Sequence, residues 1–340
     1  MQLLNQHKRI ISRIFALQSG YRSYVLESSL NDRRRDDASD LWSEWLLHDR
    51  QADDPAYAAV VQAAVAGYAD RVLDAAQLRA GMTLADVGAG EGVIAFRAID
   101  RIGPSLQCVL TDVSRPMLRY AEAAALRRKV QDQCTFHECS ADKLAALSDA
   151  STDVVATRAV LAYVADKPAA LREFFRVLRP GGRISICEPI LQDEAFYARA
   201  LRRRVETQGD ASVDRFLGLL HRWKAAQFPD TEESCAENPI TNYSERTLLN
   251  FVREAGFNEI HLQLEIDVKP TLIRSWEIFI GSSPHPWAPP LKRILAEQFT
   301  PDERRFFEGI VRPTVESGTN FTTDRIVYLN ATKPLGALGT

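Results

Sequence analysis

The chain has 340 residues, of which 46% are hydrophobic and 26% charged, and its formal net charge at pH 7 is −3. This composition is ordinary for a globular protein, and the length predicts one α/β domain with substantial additions. The small net charge provides no broad positive field, so nucleic acid is not an expected partner. The five cysteines contain no C-x-x-C pair, and we expect neither a disulfide framework nor a bound metal.

The sequence contains no apolar run of about 18 residues, the length that a transmembrane helix requires. Its N-terminus lacks the apolar core and cleavage site of a secretory signal. From these two features we expect a cytoplasmic protein with no membrane partner.

Helical patterns precede the first predicted strand, and we expect residues 1–75 to form an N-terminal helical cap. Within it, Asp54 and Pro55 have the order of a helix N-cap and first turn. Several aromatic side chains of the cap are candidates to wall a ligand site, namely Tyr21, Tyr24, Trp42 and Trp45. Covering a sheet or forming a dimer contact is an equally open role for them.

A short apolar strand, Leu84 to Val87, runs directly into the glycine turn Gly88-Ala89-Gly90-Glu91-Gly92, with Asp86 just ahead of the first glycine. The residues that follow, Val93 to Ile102, have apolar positions at helical spacing. Strand, glycine turn and helix form the first half of a nucleotide-binding βαβ unit, in which backbone amides at the helix start face the ligand. The third glycine comes one residue too early for a dinucleotide fingerprint. A plain turn remains the alternative.

Two further predicted strands end in acidic residues. Gln107 to Thr111 is followed by Asp112, and Cys134 to Glu138 is followed by Ser140-Ala141-Asp142. An acidic side chain at the position of Asp112 accepts hydrogen bonds from ribose hydroxyls in other βαβ units. Solvated loop residues are the alternative interpretation of both.

Asp86 to Gly92, Leu110-Thr111-Asp112, Ser140-Ala141-Asp142 and Leu178 to Arg183 together resemble, in order and spacing, the motifs of class I methyltransferases that use S-adenosylmethionine. The resemblance covers residues 70–190 well and residues 243–266 loosely. It implies an α/β fold with a Rossmann-like, seven-stranded, mostly parallel sheet, whose cofactor-binding core spans residues 76–190, and S-adenosyl-L-methionine as cofactor. The cofactor-binding residues are then expected to be Asp86, Gly88, Gly90, Gly92, Asp112, Val113, Met117, Ala141, Asp142 and Arg158.

The fourth predicted strand, Asp153 to Ala156, is followed by a loop that carries Arg158 and Tyr163. This loop departs from the Asn-or-Asp-Pro-Pro-Tyr pattern of enzymes that methylate amide or base nitrogens, so that subgroup is not expected. Arg158 either binds a substrate carboxylate or phosphate, or holds the loop through a carboxylate such as Glu188. The sequence leaves both open.

Two insertions complete the predicted organisation. Residues 191–242 form a helical lid insertion with an aromatic stretch that contains His221 and Trp223. Residues 243–334 supply the rest of the core, with a second insertion at 270–322 between the last two strands. The candidate catalytic residues are Tyr163, Glu188 and His221, although a lone histidine is more often structural. The candidate substrate-binding residues are Tyr21, Tyr24, Trp45, Arg158, Tyr163 and Trp223.

These features predict an enzyme that transfers the methyl group of S-adenosylmethionine to a small molecule in specialised metabolism. One alternative keeps the fold and the cofactor but cyclises S-adenosylmethionine itself, with release of methylthioadenosine. A second alternative is a non-catalytic interaction module. A small-molecule substrate is the expected partner, and a homodimer is possible.

Overall fold

The computed structural model describes residues 39–207 and 211–335. Two predicted substrate-binding residues, Tyr21 and Tyr24, lie outside the described residues. None of the helices in the described part of the chain has the length and apolar composition needed to cross a membrane.

The core of the fold is a seven-stranded sheet with the strand order β3-β2-β1-β4-β5-β7-β6. All neighbouring pairs from β3 to β5 are parallel, and β7 is antiparallel to both of its neighbours. The predicted seven-stranded, mostly parallel, Rossmann-like fold is therefore confirmed. The strands are β1 (Thr83–Val87), β2 (Gln107–Asp112), β3 (Cys134–Glu138), β4 (Thr152–Arg158), β5 (Leu178–Pro189), β6 (Asn258–Pro270) and β7 (Phe321–Thr332).

Helices cover both faces of this sheet because its central strands are apolar on both sides. In β1, Leu84 belongs to one apolar layer and the adjacent Ala85 to the other, and neither is exposed to solvent. The first layer is covered by α2 (Pro55–Ala76), α3 (Val93–Ile102) and α4 (Arg115–Arg128). The second is covered by α5 (Lys167–Val177) and α9 (Glu245–Glu254). A short helix, α1 (Leu41–Leu47), precedes α2.

The helices inserted after β5 and between β6 and β7 share a separate apolar core. Trp223 packs edge-on against Phe279 and Phe307, with ring centroids 5.9 and 5.8 Å away. The two insertions therefore pack on each other and form one layer beyond the end of the sheet. Their helices are α6 (Gln192–Thr207), α7 (Ala211–Ala225), α8 (Glu232–Glu237), α10 (Trp276–Gly281), α11 (Leu291–Glu297) and α12 (Pro301–Glu316).

Strands β6 and β7 continue well beyond the end of β5. The last pair between β5 and β7 joins Pro189 to Ile326, whereas β6 and β7 stay paired as far as Pro270 and Phe321. The part that continues past β5, residues 266–270 and 321–325, supplies part of the wall of the cavity described next.

Candidate cofactor and acceptor cavity

A cavity of about 1240 Å³ lies at the carboxyl ends of the central strands. This is the edge at which open α/β sheets bind their ligands. The residues that line it come from the glycine turn, the ends of β2 and β3, the loop after β4, the N-terminal helices and both insertions. Among the predicted residues, those that line it are Trp42, Trp45, Asp86, Gly88, Gly90, Asp112, Val113, Ala141, Asp142, Arg158, Tyr163 and Trp223.

The glycines of the turn have positive φ angles but different surroundings. A Cβ atom on Gly88 would lie 2.3 Å from Val160 Cγ2, so a glycine here lets the loop after β4 pack directly on the turn. A Cβ atom on Gly90 would meet only Leu46 Cδ1, at 3.7 Å, because this residue faces the cavity beneath α1. Gly92 does not line the cavity, and its missing side chain makes room for Phe96. Gly92 is thus a helix-start residue, which corrects its prediction as a cofactor contact.

Asp112 organises the ends of the neighbouring segments. Its Oδ2 accepts a hydrogen bond from the Gly90 amide at 2.8 Å, and its Oδ1 accepts one from the Ser114 amide at 2.9 Å. Burial raises the pKa of this carboxyl, and the two amides oppose that rise. A carboxylate with two oxygens retains acceptor capacity beyond these two bonds. Asp112 is therefore placed both to shape the glycine turn and to accept hydrogen bonds from a ligand.

Asp86 lies at the end of β1 and is almost fully buried, at 1% exposure. Its Oδ2 accepts a hydrogen bond from the Ala95 amide at 3.0 Å. Burial raises the pKa of Asp86 to about 7, and the positive charge of Arg158 opposes the rise. Near neutral pH this side chain therefore gains or loses a proton readily, and a cation in the cavity would favour its ionised form.

The ends of β2 and β3 provide a second part of the wall. Val113, Ala141 and Asp142 line the cavity, and Ser140 Oγ donates a hydrogen bond to Asp142. Met117 does not line it, because its side chain is fully buried beneath the start of α4. The prediction that Met117 contacts the adenine ring is corrected accordingly.

Glu188 is fully buried and is not part of the cavity wall. Its carboxylate accepts hydrogen bonds from the amides of Val160 and Ala162, at 3.0 and 3.1 Å, and from Thr157 Oγ1 at 3.2 Å. Burial raises the pKa of Glu188, and these donors oppose the rise. Glu188, one of the candidate catalytic residues, thus fixes the backbone of the loop that carries Tyr163.

Arg158 lines the cavity and forms no ion pair with any other residue in the described ranges 39–207 and 211–335. The predicted alternative, in which Glu188 holds its guanidinium, is therefore wrong. A neighbouring guanidinium, Arg50, pairs with Glu91 of the glycine turn at 3.2 Å. Both members of this pair line the cavity, and neither was predicted. No local pattern in the sequence marks them, because they are joined only in the folded chain.

Aromatic rings surround Tyr163. Its ring centroid lies 5.0 Å from that of Trp42, 5.8 Å from that of Trp287 and 6.3 Å from that of Trp45. Trp45 also donates a hydrogen bond from Nε1 to the carbonyl oxygen of Ser283 at 2.9 Å. These contacts join α1, the loop after β4 and the second insertion, so the cavity is roofed by segments from three parts of the chain.

His221 lies outside the cavity wall, and its Nε2 is 2.8 Å from Asp230 Oδ2. This pairing corrects the prediction of His221 as a catalytic residue. Trp223 and Lys224, which follow it on α7, do line the cavity. Lys224 is 1% exposed, burial lowers its pKa, and its ammonium is 3.7 Å from Glu194 Oε2. Helix α7 thus contributes a buried lysine that the sequence did not suggest.

Residues 78–240 match the family model described as a methyltransferase domain. This match covers 163 of the 340 residues and supports the predicted resemblance to class I methyltransferases. S-adenosyl-L-methionine is the cofactor of this family. The residues in the cavity fit this cofactor: Asp112 and Asp142 can accept from hydroxyl and amino groups, and Asp86 can balance positive charge.

Three curated relatives illustrate the range of this similarity. A nocamycin O-methyltransferase of Saccharothrix syringae is 36% identical over 122 residues, which is 36% of this chain and 43% of that protein. A ubiquinone/menaquinone biosynthesis C-methyltransferase of Pseudomonas putida is 29% identical over 186 residues, or 54% of this chain and 68% of that protein. A tRNA 5-carboxymethoxyuridine methyltransferase of Escherichia coli is 36% identical over 101 residues, or 30% of this chain and 38% of that protein. The chain thus spans less than half of the first and third of these relatives.

Proposed function

We propose that the protein is an S-adenosylmethionine-dependent methyltransferase whose acceptor is a small molecule. One observation carries this proposal: a single cavity of about 1240 Å³ has cofactor-type residues at the end of the sheet and a second, apolar section beneath the inserted helices. That volume exceeds the usual range of about 300 to 1,000 Å³ for one ligand, and it suits a cofactor with an acceptor beside it.

The cofactor section would use the polar groups at the strand ends. Asp112, Val113, Ala141 and Asp142 would hold the adenosine part, and Asp86 with the turn at Gly88 and Gly90 would hold the amino-acid part. When bound, S-adenosylmethionine supplies a methyl group already activated by its sulfonium. The protein therefore has to bind the two reactants, orient them and keep water out. Most of the rate enhancement of such a reaction can arise from these effects.

The acceptor section is apolar apart from a few charges. Ile273, Phe279 and Leu291 from the second insertion and Trp223 from the first line it, together with the cation of Lys224. Arg158, Tyr163 and Trp45 line the wall closer to the glycine turn. Such a lining suits a largely apolar acceptor with an oxygen-bearing or acidic group that Arg158 can bind.

Tyr163 is the titratable residue that we place next to the reacting atoms. Its loop is fixed by Glu188, and its ring is packed among Trp42, Trp45 and Trp287. A rigid aromatic surface of this kind orients an acceptor and keeps water out. Glu188 acts as a positioning residue, through the loop, and not as the base.

Two of the relatives support a small acceptor in biosynthesis, since their names specify nocamycin and ubiquinone or menaquinone. We accordingly propose a role in specialised metabolism. The tRNA enzyme among the relatives makes RNA the competing acceptor that an experiment has to test.

The test uses S-adenosylmethionine with a deuterated methyl group. The purified protein is incubated with it and either a low-molecular-weight metabolite extract or total tRNA, and the products are analysed by mass spectrometry. We expect S-adenosylhomocysteine to form only with the metabolite extract, together with a small molecule that carries the label. Label in tRNA alone, or methylthioadenosine in place of S-adenosylhomocysteine, would overturn the proposal. An Asp112→Ala variant is the control for activity from contaminants.

A further inference from the structure

Strand β6 is the last strand of the sheet, and its outer edge is not covered by another strand in the described part of the chain. Its side chains alternate between an apolar row and a polar row. In the apolar row Leu264, Ile266 and Val268 are 36%, 57% and 59% exposed. An exposed edge strand of this length, with apolar side chains, presents unpaired backbone groups that another strand can bind.

We propose that a second copy of this chain pairs with β6 as an antiparallel neighbour, about a twofold axis that passes at Leu264. Two copies would then share one continuous sheet. The partner is identified by the strand itself, because the residues on either side of Leu264 suit one another when the strand is paired with its own reverse. The proposal does not rest on the proposed methyltransferase activity.

With the axis at Leu264, each residue of the strand lies opposite a suitable residue of the other copy. Leu264 faces the partner's Leu264, and Ile266 faces the partner's Leu262. In the polar row, Gln263 faces the partner's Glu265, and His261 faces the partner's Asp267. Apolar pairs and opposite-charge or hydrogen-bonding pairs directly across an antiparallel ladder are the ones that stabilise it.

The neighbouring registers are disfavoured by charge or by backbone geometry. An axis at Glu265 would place this carboxylate opposite the same carboxylate of the partner. An axis at Ile266 would place Glu265 opposite the partner's Asp267. Both arrangements are unfavourable, because like charges directly opposite each other destabilise a ladder. An axis at Gln263 would place Asp267 opposite the partner's Glu259, which are again two like charges. Glu259 also lies in the irregular part of β6, where the register with β7 shifts between Asn258 and His261. Leu264 is therefore the favoured centre.

Pairing in this register would also make the apolar rows of the two copies adjacent, and it would remove both exposed edges at once. A closed twofold contact of this kind uses the same surface on each copy and ends the assembly at two. The opposite, polar row of β6 includes Lys269, which pairs with Asp324 at 2.7 Å in the cavity wall. The contact would thus support the projecting part of β6 and β7 from outside the cavity.

A cysteine scan tests the register directly, because residues that face each other on the axis are close enough for a disulfide. Under mild oxidation we expect Leu264→Cys to give a covalent dimer on a non-reducing gel. Ile266→Cys is the matched control, since each copy of residue 266 faces residue 262 and the two new thiols stay far apart. Wild type, whose cysteines at 108, 187 and 235 are buried, reports any background cross-linking.

Sedimentation velocity measures the oligomeric state independently of cross-linking. Wild type is expected to sediment as a dimer, and Ile266→Lys as a monomer with an unchanged far-ultraviolet spectrum, because the substituted side chain is more than half exposed. A monomeric wild type at all concentrations, or equal cross-linking of Leu264→Cys and Ile266→Cys, would overturn the proposal.

Discussion

Ser114 Oγ donates a hydrogen bond to Asp40 Oδ1 at 3.0 Å, although 74 residues separate the two in the sequence. Each residue also caps its own helix: Asp40 accepts from the Ser43 amide at the start of α1, and Ser114 accepts from the Met117 amide at the start of α4. The bond therefore joins two helix N-termini. Because Ser114 follows Asp112 by two residues, α1 is tied directly to the end of β2 in the cavity wall.

Asp40→Ala should therefore affect both stability and cofactor binding. Loss of the cap should cost about 1 kcal/mol of unfolding free energy, and the loosened α1 should weaken binding of S-adenosylhomocysteine. Thr300→Ala is the matched control, since Thr300 caps α12 through the same type of capping box, and neither Thr300 nor Glu303 lines the cavity. Thermal unfolding and calorimetric titration measure the two effects. Equal affinity loss in both variants would contradict a direct link between Asp40 and the cofactor site.

Glu188 should behave as a positioning residue. Glu188→Ala leaves buried donors from Thr157, Val160 and Ala162 without an acceptor, and each unsatisfied group costs about 1 to 3 kcal/mol. We expect a large drop in the unfolding temperature for this variant and a smaller one for Glu188→Gln, which retains one acceptor oxygen. The pH profile of turnover should be unchanged in Glu188→Gln. A stable Glu188→Gln protein that has lost turnover would instead indicate that Glu188 is the base.

Asp86 should make ligand binding depend on pH. Burial raises its pKa to about 7, and a bound cationic amino group would favour the ionised carboxylate, so binding should release a proton. Affinity for S-adenosylhomocysteine should rise about tenfold from about pH 6 to about pH 8. The raised pKa also means that the unliganded fold loses stability as the pH rises from about 4 to about 7, because the unfolded chain releases the Asp86 proton in this window while the folded chain retains it.

Calorimetry in buffers of different ionisation enthalpy measures the released proton. Asp86→Asn cannot ionise, and both pH dependences should disappear in this variant. A wild-type affinity that is flat across the range, or a dependence that persists in Asp86→Asn, would show that another group titrates.

The core of the fold and the cofactor section could be predicted because their signals are local in the sequence. A glycine turn after a buried strand, and carboxylates at the ends of β2 and β3, each lie within a few residues of the strand that positions them. Parallel strands then bring these ends to one edge of the sheet. Asp86, Gly90, Asp112 and Asp142 line the cavity for this reason.

The roof of the cavity could not be predicted because its contacts join distant segments. Arg50 and Glu91 are 41 residues apart, and Trp45 binds a carbonyl 238 residues away. The error at His221 has a different cause. On a helix with 3.6 residues per turn, Trp223 and Lys224 lie on the face toward the cavity, whereas His221 is turned toward Asp230. The sequence showed a helix there but not which of its faces is turned inward.

The most direct test of the cavity as a cofactor site is a calorimetric titration of S-adenosylhomocysteine into wild type and Asp112→Ala. Asp112 should accept hydrogen bonds from the ligand while it holds the amides of Gly90 and Ser114. We expect wild type to saturate with one ligand per chain. Asp112→Ala should bind more weakly by about 1 to 3 kcal/mol, which is roughly 5-fold to 150-fold in the dissociation constant. No binding to wild type, or the same dissociation constant for both proteins, would contradict the assignment of this cavity.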